Sequence, residues 1–382
     1  MLRTPLHAYH LKHGGKMVDF AGWEMPVVYH PPGVAPGDPA TTGIIAEHNR
    51  VRTAGGVFDV SHMGRVLVTG RHSRRFLERL CTRRISDMQN GQCRYSLVCN
   101  ADGGVKDDVI VYRKDDADFL VVVNASNREK LLAHFETVRG DLVVKIDDNT
   151  LKTAMVALQG PKVMEIIGKF SREIPTLKKY RFTEKNYLIM KLIVSRTGYT
   201  GEDGVEVILP ASMVDMALKM LVSDAKHVTD PVGLGARDTL RMEAGMPLYG
   251  HELGEEINAL ASGLDFAIAI DKDNDERGEV YVGMEALKRT RDAGGPKTKL
   301  VGMWVEGKRS ARQGMVVKDA GKPVGAVTSA CQSPTLGRGI AMAYIDAALA
   351  NTGHKLQIDT GRDTLLEAEI TTLPFYKAPK PV

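Results

Sequence analysis

The sequence predicts a mixed α+β chain of more than one domain that ends in an all-β unit, and three observations carry that prediction. The chain has 382 residues, enough for two or three domains at roughly 150 residues each. From about residue 66 to 147, β-branched runs and helical stripes follow the pattern strand, helix, two strands, helix, strand. Beyond about Ile270, short strands and Gly/Pro turns dominate, as at Pro323-Val324-Gly325 and Ser333-Pro334.

The elements follow in chain order. Segment 29–42 is rich in Pro and Gly and reads as a loop. Segment 72–84 is a helix whose Phe76, Leu77 and Leu80 make one apolar stripe. Segments 109–112 and 119–123 are strands joined by a hairpin loop at 114–118, and pairing Arg113 with Phe119 sets Asp108 opposite Asn124. A helix starts at Pro161, the favoured first-turn residue, and segment 211–226 forms another. The chain has no internal repeat and no low-complexity tract.

Composition excludes several classes. Hydrophobic residues at 43% and charged residues at 26% give the balance of a globular chain, against disorder. A net charge of +4 over this length does not by itself indicate a nucleic-acid binder. No run approaches the ~18 apolar residues of a membrane helix, since even segment 187–194 is broken by Lys191. Cys81, Cys93, Cys99 and Cys331 lack CxxC spacing and pairing, which reads as reduced thiols in a cytosol-like compartment, with neither disulfides nor zinc. The N-terminal residues show no leader pattern. Glycine is the outlier, with 38 residues against an average of about 7%, so many positions serve turns or close backbone approaches.

Several motifs fall short of their chemistry. Gly233-Leu-Gly235-Ala-Arg-Asp238 lacks the third glycine and the preceding strand of a dinucleotide fingerprint. Asp271-Lys-Asp273-Asn-Asp275 imitates a calcium loop, but Glu276 and Val282 occupy the positions that need Gly and the bidentate Glu, so it reads as a solvated loop. His7, His10 and His13 line one helix edge without a fourth ligand, which favours surface or capping roles over zinc. There is no P-loop, serine elbow or catalytic cysteine signature.

Other constellations carry chemistry. Asp107 and Asp108 stand together at the hairpin mouth, and strand neighbours point to opposite faces. An inward carboxylate beside Asn124 and Tyr112 suits a base or a charge stabiliser; the same residues also suit a turn closed by Asp side chains. Segment 195–206 packs Gly198, Tyr199, Gly201 and Gly204 into a loop that leads to Glu206, suited to a flat ligand with a guanidine-like edge or to a complex β-turn. Arg237 and Arg241 stand one turn apart at a helix start, an anion clamp or an intrahelical pair with Asp238. Segment 71–84 carries six Arg and one Glu, a solvated basic face or a dock for an acidic partner.

Taken together these segments resemble the aminomethyltransferase family, the T-protein of the glycine cleavage system. The likeness extends to Gly15-Lys-Met-Val-Asp-Phe-Ala-Gly-Trp-Glu-Met-Pro26, Phe58-Asp-Val-Ser-His-Met63, Leu158-Gln-Gly-Pro161, Leu248-Tyr-Gly250 and Ser333-Pro-Thr-Leu336, across essentially the whole chain. It implies an α+β three-domain cloverleaf around a central folate pocket. Residues 1–60 plus 152–255 would form a discontinuous folate-binding domain, 61–151 a ferredoxin-like inserted domain carrying the catalytic Asp, and 256–382 a β-rich domain resembling a barrel or jelly roll. It also implies transfer of the methylene carbon of an aminomethyl group from the lipoyl arm of H-protein to tetrahydrofolate, with release of ammonia.

Motif by motif, the resemblance assigns Asp108 to the essential aspartate near folate N5. Tyr95, Met63, Leu67, Tyr112 and Tyr199 match positions lining the pterin and aminobenzoyl pocket, with Asn124 beside them. Glu206 matches the residue reading the pterin edge and Arg237 a folate-contacting arginine; Tyr376 or Lys377 would supply a C-terminal contact. Departures are the long loop at 31–42 and Met246, where some relatives carry an aromatic. The resemblance implies tetrahydrofolate as the acceptor, with no metal or flavin, and lipoylated H-protein as the partner, with neither nucleic acid nor membrane; the basic segment 71–84 is the candidate dock for that partner. The location implied is cytoplasmic for a bacterial-type protein, or the mitochondrial matrix for a processed eukaryotic form. Alternatives on the same fold are a folate-dependent demethylase acting on a sulfonium or N-methyl compound, and a non-catalytic folate-binding protein, whose Lys-Gly-Cys-Tyr-type motif is missing here. A flavin-linked amine oxidase would need an FAD domain upstream. The glycine-flanked segments ahead of Asp108, around Tyr199 and ahead of Arg237 should converge on one cavity.

Overall fold

The computed structural model describes residues 1–30, 42–187, 190–223, 228, 230–361 and 364–379. Residues 31–41 of the expected loop and 224–226 of the expected helix at 211–226 lie outside the described residues; the helix runs over Val214–Ser223 after a 3-10 turn at Ala211–Met213.

The inserted unit is a five-stranded antiparallel sheet in the order Gln92–Cys99, Val105–Asp115, Asp118–Val123, Gly64–Thr69, Lys145–Asp148. Its helices are Ser73–Leu80 and Arg128–Arg139. Two strands were expected between the helices and three are present, Gln92–Cys99 being the addition. Its Arg94 and Ser96 interrupt the apolar pattern because they serve neighbouring loops, Arg94 Nη1 donating to the Arg84 carbonyl at 2.6 Å and the Ser96 hydroxyl accepting from the Arg83 amide at 3.0 Å. The hairpin register pairs Arg113 with Phe119 as expected, but the strands run on to Asp115 and Asp118 across a bulge, so the turn is tighter than the five residues predicted.

Strand parity organises this unit. Val109, Val111, Phe119, Val121 and Val123 enter the core beneath the helices with Phe76, Leu77 and Phe135. Tyr112, Leu120 and Val122, with Ile110 beside them, face the other way and join Phe58, Met155, Ile208 and Leu240 of the first domain. Each fully buried aliphatic contributes about 1.5–3 kcal/mol, so both faces of the sheet are committed. The expected helix at 72–84 ends at Leu80 because Cys81 turns extended and bridges to Val98.

The first domain is built from two separated stretches. Its main sheet runs Phe182–Tyr187, Met190–Ser195, Gly204–Pro210, Thr153–Gln159, Gly56–Asp59, all antiparallel. A smaller sheet pairs Leu2–Arg3 and Gly15–Phe20 with Trp23–Tyr29. Residues 60–152 therefore leave and re-enter between adjacent strands. Arg65 seals that seam, donating to the Ser61 carbonyl at 3.0 Å, the Thr153 hydroxyl at 2.7 Å and the Thr153 carbonyl at 2.9 Å.

The last six strands, from Thr298–Val305 to Leu365–Thr371, close into a barrel. Ala341, Ala343 and Ile345 fill its interior, whereas Ile340 and Met342 point outward onto Met242 of the helix Leu234–Glu243 and onto Phe375. Among the described residues, 256–297 carry no strand; they form 3-10 turns and the helix Met284–Asp292. This stretch caps the insert through Leu264, Tyr281, Met284 and Leu287 on Leu97, Cys99 and Val105. No described helix is long and apolar enough to cross a membrane.

Candidate active site

Parity in the strand Val105–Asp115 separates the two adjacent carboxylates. Asp107 shares the helix side with Val109 and is fully buried, while Asp108 shares the side of Ile110 and Tyr112 and is half-buried. Asn124, just past the end of the facing strand, holds both: its Nδ2 donates to Asp107 Oδ1 at 2.8 Å and to Asp108 Oδ1 at 2.7 Å. Asp107 also accepts from the Asn124 amide at 3.1 Å and from Asn127 Nδ2 at 2.6 Å, and the Tyr95 hydroxyl donates to Asp108 Oδ2 at 3.1 Å. Burial, and then the charge of Asp108, push the Asp107 carboxyl up to about 8; burial raises Asp108 as well, while the Tyr95 and Asn124 donors favour its anion. Asp107 is the structural member of the pair and Asp108 the one that faces outward.

The loop after strand Met190–Ser195 brings a second group of side chains to the same place. A Cβ at Gly198 would lie 1.9 Å from Gln159 Oε1, so any larger residue there would have to displace the buried Gln159 amide. Gln159 in turn anchors the loop through Nε2 on the Thr197 carbonyl at 3.2 Å and Oε1 on the Thr200 hydroxyl at 3.0 Å. Tyr199 donates to the Pro247 carbonyl and lies under the guanidinium of Arg237, whose Cζ is 4.8 Å from the ring centroid. Burial raises the Tyr199 hydroxyl, with the Asp108 charge adding to the effect. Arg237 Nη1 is buried with no hydrogen-bond partner, an orphaned donor of the kind a ligand satisfies.

Glu206 sits on the strand Gly204–Pro210 and is positioned by a line of hydroxyls. Tyr112 OH meets Ser195 Oγ at 3.1 Å, Ser195 Oγ meets Thr197 Oγ1 at 2.7 Å, and Thr197 Oγ1 donates to Glu206 Oε2. Burial raises Glu206, opposed by Thr197 and by the nearby Arg237. Tyr112 itself is fully buried against Phe182, so it braces this wall from behind. Met63 and Leu67 are half-buried on the apolar cluster shared by the insert and the first domain. Tyr95 continues outward to Phe266, ring centroids 6.0 Å apart, with Arg83 5.7 Å from the Phe266 centroid and Phe266 59% exposed. Asp108, Tyr95, Asn124, Tyr199, Glu206 and Arg237 thus belong to one neighbourhood, fed by the expected glycine-flanked segments.

Other expected residues fall elsewhere. Tyr376 donates its amide to the Glu243 carbonyl at 2.8 Å and stacks under Arg52, 4.1 Å from Cζ to centroid, and Lys377 is exposed. His10 is bound between Asp59 at 2.9 Å and Tyr29 at 2.7 Å, while His13 reaches the Tyr9 carbonyl at 2.8 Å, so these imidazoles serve separate partners. The basic segment 71–84 is partly neutralised from within: Arg75 and Arg79 pair with Glu279, and Arg84 with Asp271 and Asp275. The acidic run at 271–275 is therefore an ion-pairing turn, with Lys272 buried on Glu78 and the Cys81 carbonyl.

Sequence reading passed over Tyr180, His62 and Arg52. Tyr180 lies in a polar run and takes φ 60°, close enough to Glu206 and Arg83 to feel their charges. His62 is buried with Nδ1 unpartnered, and burial lowers it to about 4. It stands within the motif Phe58-Asp-Val-Ser-His-Met63, in which the resemblance gives a role only to its neighbour Met63.

The comparisons bear on the whole chain. Residues 6–272 match the family model described as GCVT N-terminal domain, and residues 298–377 match the glycine cleavage T-protein C-terminal barrel domain. The chain is 46% identical over 377 residues to an aminomethyltransferase of Rubrobacter xylanophilus, covering 98% of this chain and 94% of that protein. It is 39% identical over 382 residues to one of Geobacillus thermodenitrificans, covering 99% of each. Among solved structures, the glycine cleavage system aminomethyltransferase T from Bartonella henselae superposes with a TM-score of 0.88 at 28% identity, over 99% of this chain and 98% of that one.

Proposed function

The chain belongs to the glycine cleavage T-protein family, the aminomethyltransferases, and from that premise we propose how its residues divide the work. The donor is an aminomethyl group carried on the lipoyl arm of H-protein, the acceptor is tetrahydrofolate, and the products are 5,10-methylene-tetrahydrofolate, ammonia and the dihydrolipoyl protein. The acceptor supplies the nucleophilic nitrogen; the protein supplies proximity and charge.

Fit to a folate rests on the polar groups in the neighbourhood. Arg237 offers a buried unpaired donor and Glu206 a carboxylate whose Oε2 is fixed by Thr197, a donor and acceptor suited to the edge of a pterin. Tyr199, Met63 and Leu67 supply ring and apolar surface alongside. Asp108, oriented by Tyr95 and Asn124, provides negative charge where the transferred carbon or its nitrogen turns cationic. Its low-dielectric position makes that charge worth more than it would be in water. Holding donor and acceptor in contact contributes the rest of the acceleration.

The observation that carries this reading is the meeting of a half-buried Asp108, held by two side-chain donors, with the Arg237–Tyr199–Glu206 group. The test mixes the chain with aminomethylated H-protein and tetrahydrofolate and follows ammonia and 5,10-methylene-tetrahydrofolate. Equimolar formation of both is expected. Turnover without ammonia, from an N-methyl or sulfonium donor instead, would overturn it.

The basic segment remains the proposed dock for H-protein, narrowed to its free charges. Among the described residues, Arg75, Arg79 and Arg84 are paired with Glu279, Asp271 and Asp275. Arg83, though without an ion pair there, donates to the Tyr95 carbonyl at 3.4 Å and lies over the Phe266 ring, which leaves Arg71 and Arg74 for an acidic partner.

A further inference from the structure

The residues just behind the Tyr199 loop form a buried ionic junction that no step of the reaction uses. Arg52 Nη1 donates to the Thr200 carbonyl at 2.7 Å and to Glu202 Oε1 at 2.8 Å. Its Nη2 and Nε reach Glu243 Oε2 at 2.8 and 3.0 Å, and its face covers the Tyr376 ring. The three charged side chains are nearly inaccessible, at 5% for Arg52, 3% for Glu202 and 0% for Glu243.

Glu243 is itself held from the barrel. Its Oε1 accepts from the Ser333 hydroxyl and, at 3.0 Å, from the Thr335 amide; its Oε2 accepts from the Thr335 hydroxyl at 2.7 Å. His48 Nε2 stands 3.2 Å from the same oxygen, with Nδ1 on the Thr239 hydroxyl at 2.8 Å. These hydrogen bonds outweigh burial and hold Glu243 down at about 2, so it stays ionised opposite Arg52.

Thr200 and Glu202 immediately follow Tyr199. Glu243 closes the helix Leu234–Glu243 that carries Arg237. A guanidinium presents several donors in one rigid plane, which suits a single side chain tying two backbone segments together.

We propose that Arg52 is a positioning residue for the acceptor site: it clamps the Tyr199 loop to the Arg237 helix, and through Glu243 it makes that clamp depend on the Ser333–Thr335 turn of the barrel. This rests on the folate reading above. The barrel thereby tunes acceptor binding without itself contacting the reacting groups.

The test uses the full chain with Glu202→Gln, Thr335→Val and the double variant. Tetrahydrofolate KM and kcat are measured with aminomethylated H-protein, tetrahydrofolate Kd by direct titration, and Tm by thermal unfolding. Each single change should raise KM and Kd about tenfold, equivalent to about 1.4 kcal/mol, with kcat within about twofold. The double variant should stay near tenfold, well short of a hundredfold, because both changes loosen one clamp. Arg52→Lys, which keeps the charge and loses the fork, should match the single variants. Unchanged KM and Kd, with or without a lower Tm, would overturn the proposal, and so would an additive hundredfold rise. If one single variant does not fold, the other decides. A wild-type chain that takes up no tetrahydrofolate would sink the folate reading and the clamp with it.

Discussion

Replacing Asp108 by Asn removes a charge while leaving the shape of the side chain in place. The amide oxygen can still accept from Asn124 Nδ2, which now sits 2.7 Å from Asp108 Oδ1, and its NH2 group can turn to the Tyr95 oxygen, now a 3.1 Å donor. The fold should therefore survive, and the loss should be electrostatic. A unit charge about 4 Å from a developing cation, at an effective dielectric of about 20, is worth about 4 kcal/mol. At about 1.4 kcal/mol per decade this predicts a fall in kcat of about three decades. The assay is single-turnover methylene transfer with saturating aminomethylated H-protein, paired with a tetrahydrofolate titration. Binding should change by less than about threefold, and the acid limb of the wild-type pH–rate profile, set by the raised carboxyl of Asp108, should vanish. A variant retaining more than about a tenth of wild-type kcat would refute the assignment. A parallel thousandfold loss of binding would instead put the charge to work in the ground state.

Three further outcomes follow from the same geometry. Gly198→Ala drives a Cβ to 1.9 Å from Gln159 Oε1; it should cost about 1–3 kcal/mol in a urea titration and raise the tetrahydrofolate KM. Burial holds His62 at about 4 against an ordinary 6.5, so the folded state binds fewer protons than the unfolded one. Stability should then fall as pH drops from about 6.5 towards about 4, by up to about 3 kcal/mol, and His62→Leu should flatten that slope in urea unfolding. Reversing Arg71 and Arg74 to Glu should raise the KM for H-protein at low salt and lose its effect at high salt. Reversing Arg75 is a poorer probe, since it breaks the pair with Glu279.

Local rules account for part of the geometry of the candidate site, while the roles given to Asp108, Glu206 and Arg237 come from the family resemblance. Period-two alternation separated Asp107 from Asp108, β-branched runs set the Arg113–Phe119 register, and tight glycines marked the Tyr199 loop. What stayed hidden depends on partners far away in the chain. Arg52 meets Glu243 across 191 positions and Thr335 across 283, separations that no helical or strand period reveals. Segment 71–84 looked like an open basic face because its counter-charges at 271–279 belong to a different part of the fold. Gln92–Cys99 escaped notice as a strand because Arg94 and Ser96 are spent on neighbouring loops. Tyr180 takes a left-handed backbone that its polar surroundings do not announce.

The two-part construction of the first domain has a consequence for how the chain is made. Strand Gly56–Asp59 emerges early but pairs with Thr153–Gln159, which pairs in turn with Gly204–Pro210. At about 5–20 residues per second, the ribosome needs roughly 8–30 s to deliver the 150 or so residues between the first of these strands and the last. During that interval the inserted unit, whose sheet partners all lie between Gly64 and Asp148, can complete its own hydrogen bonding. The N-terminal strand waits with an open edge. The inserted unit should accordingly protect its amides first in pulsed exchange on nascent chains, and the early strand is where a chaperone would have most to cover.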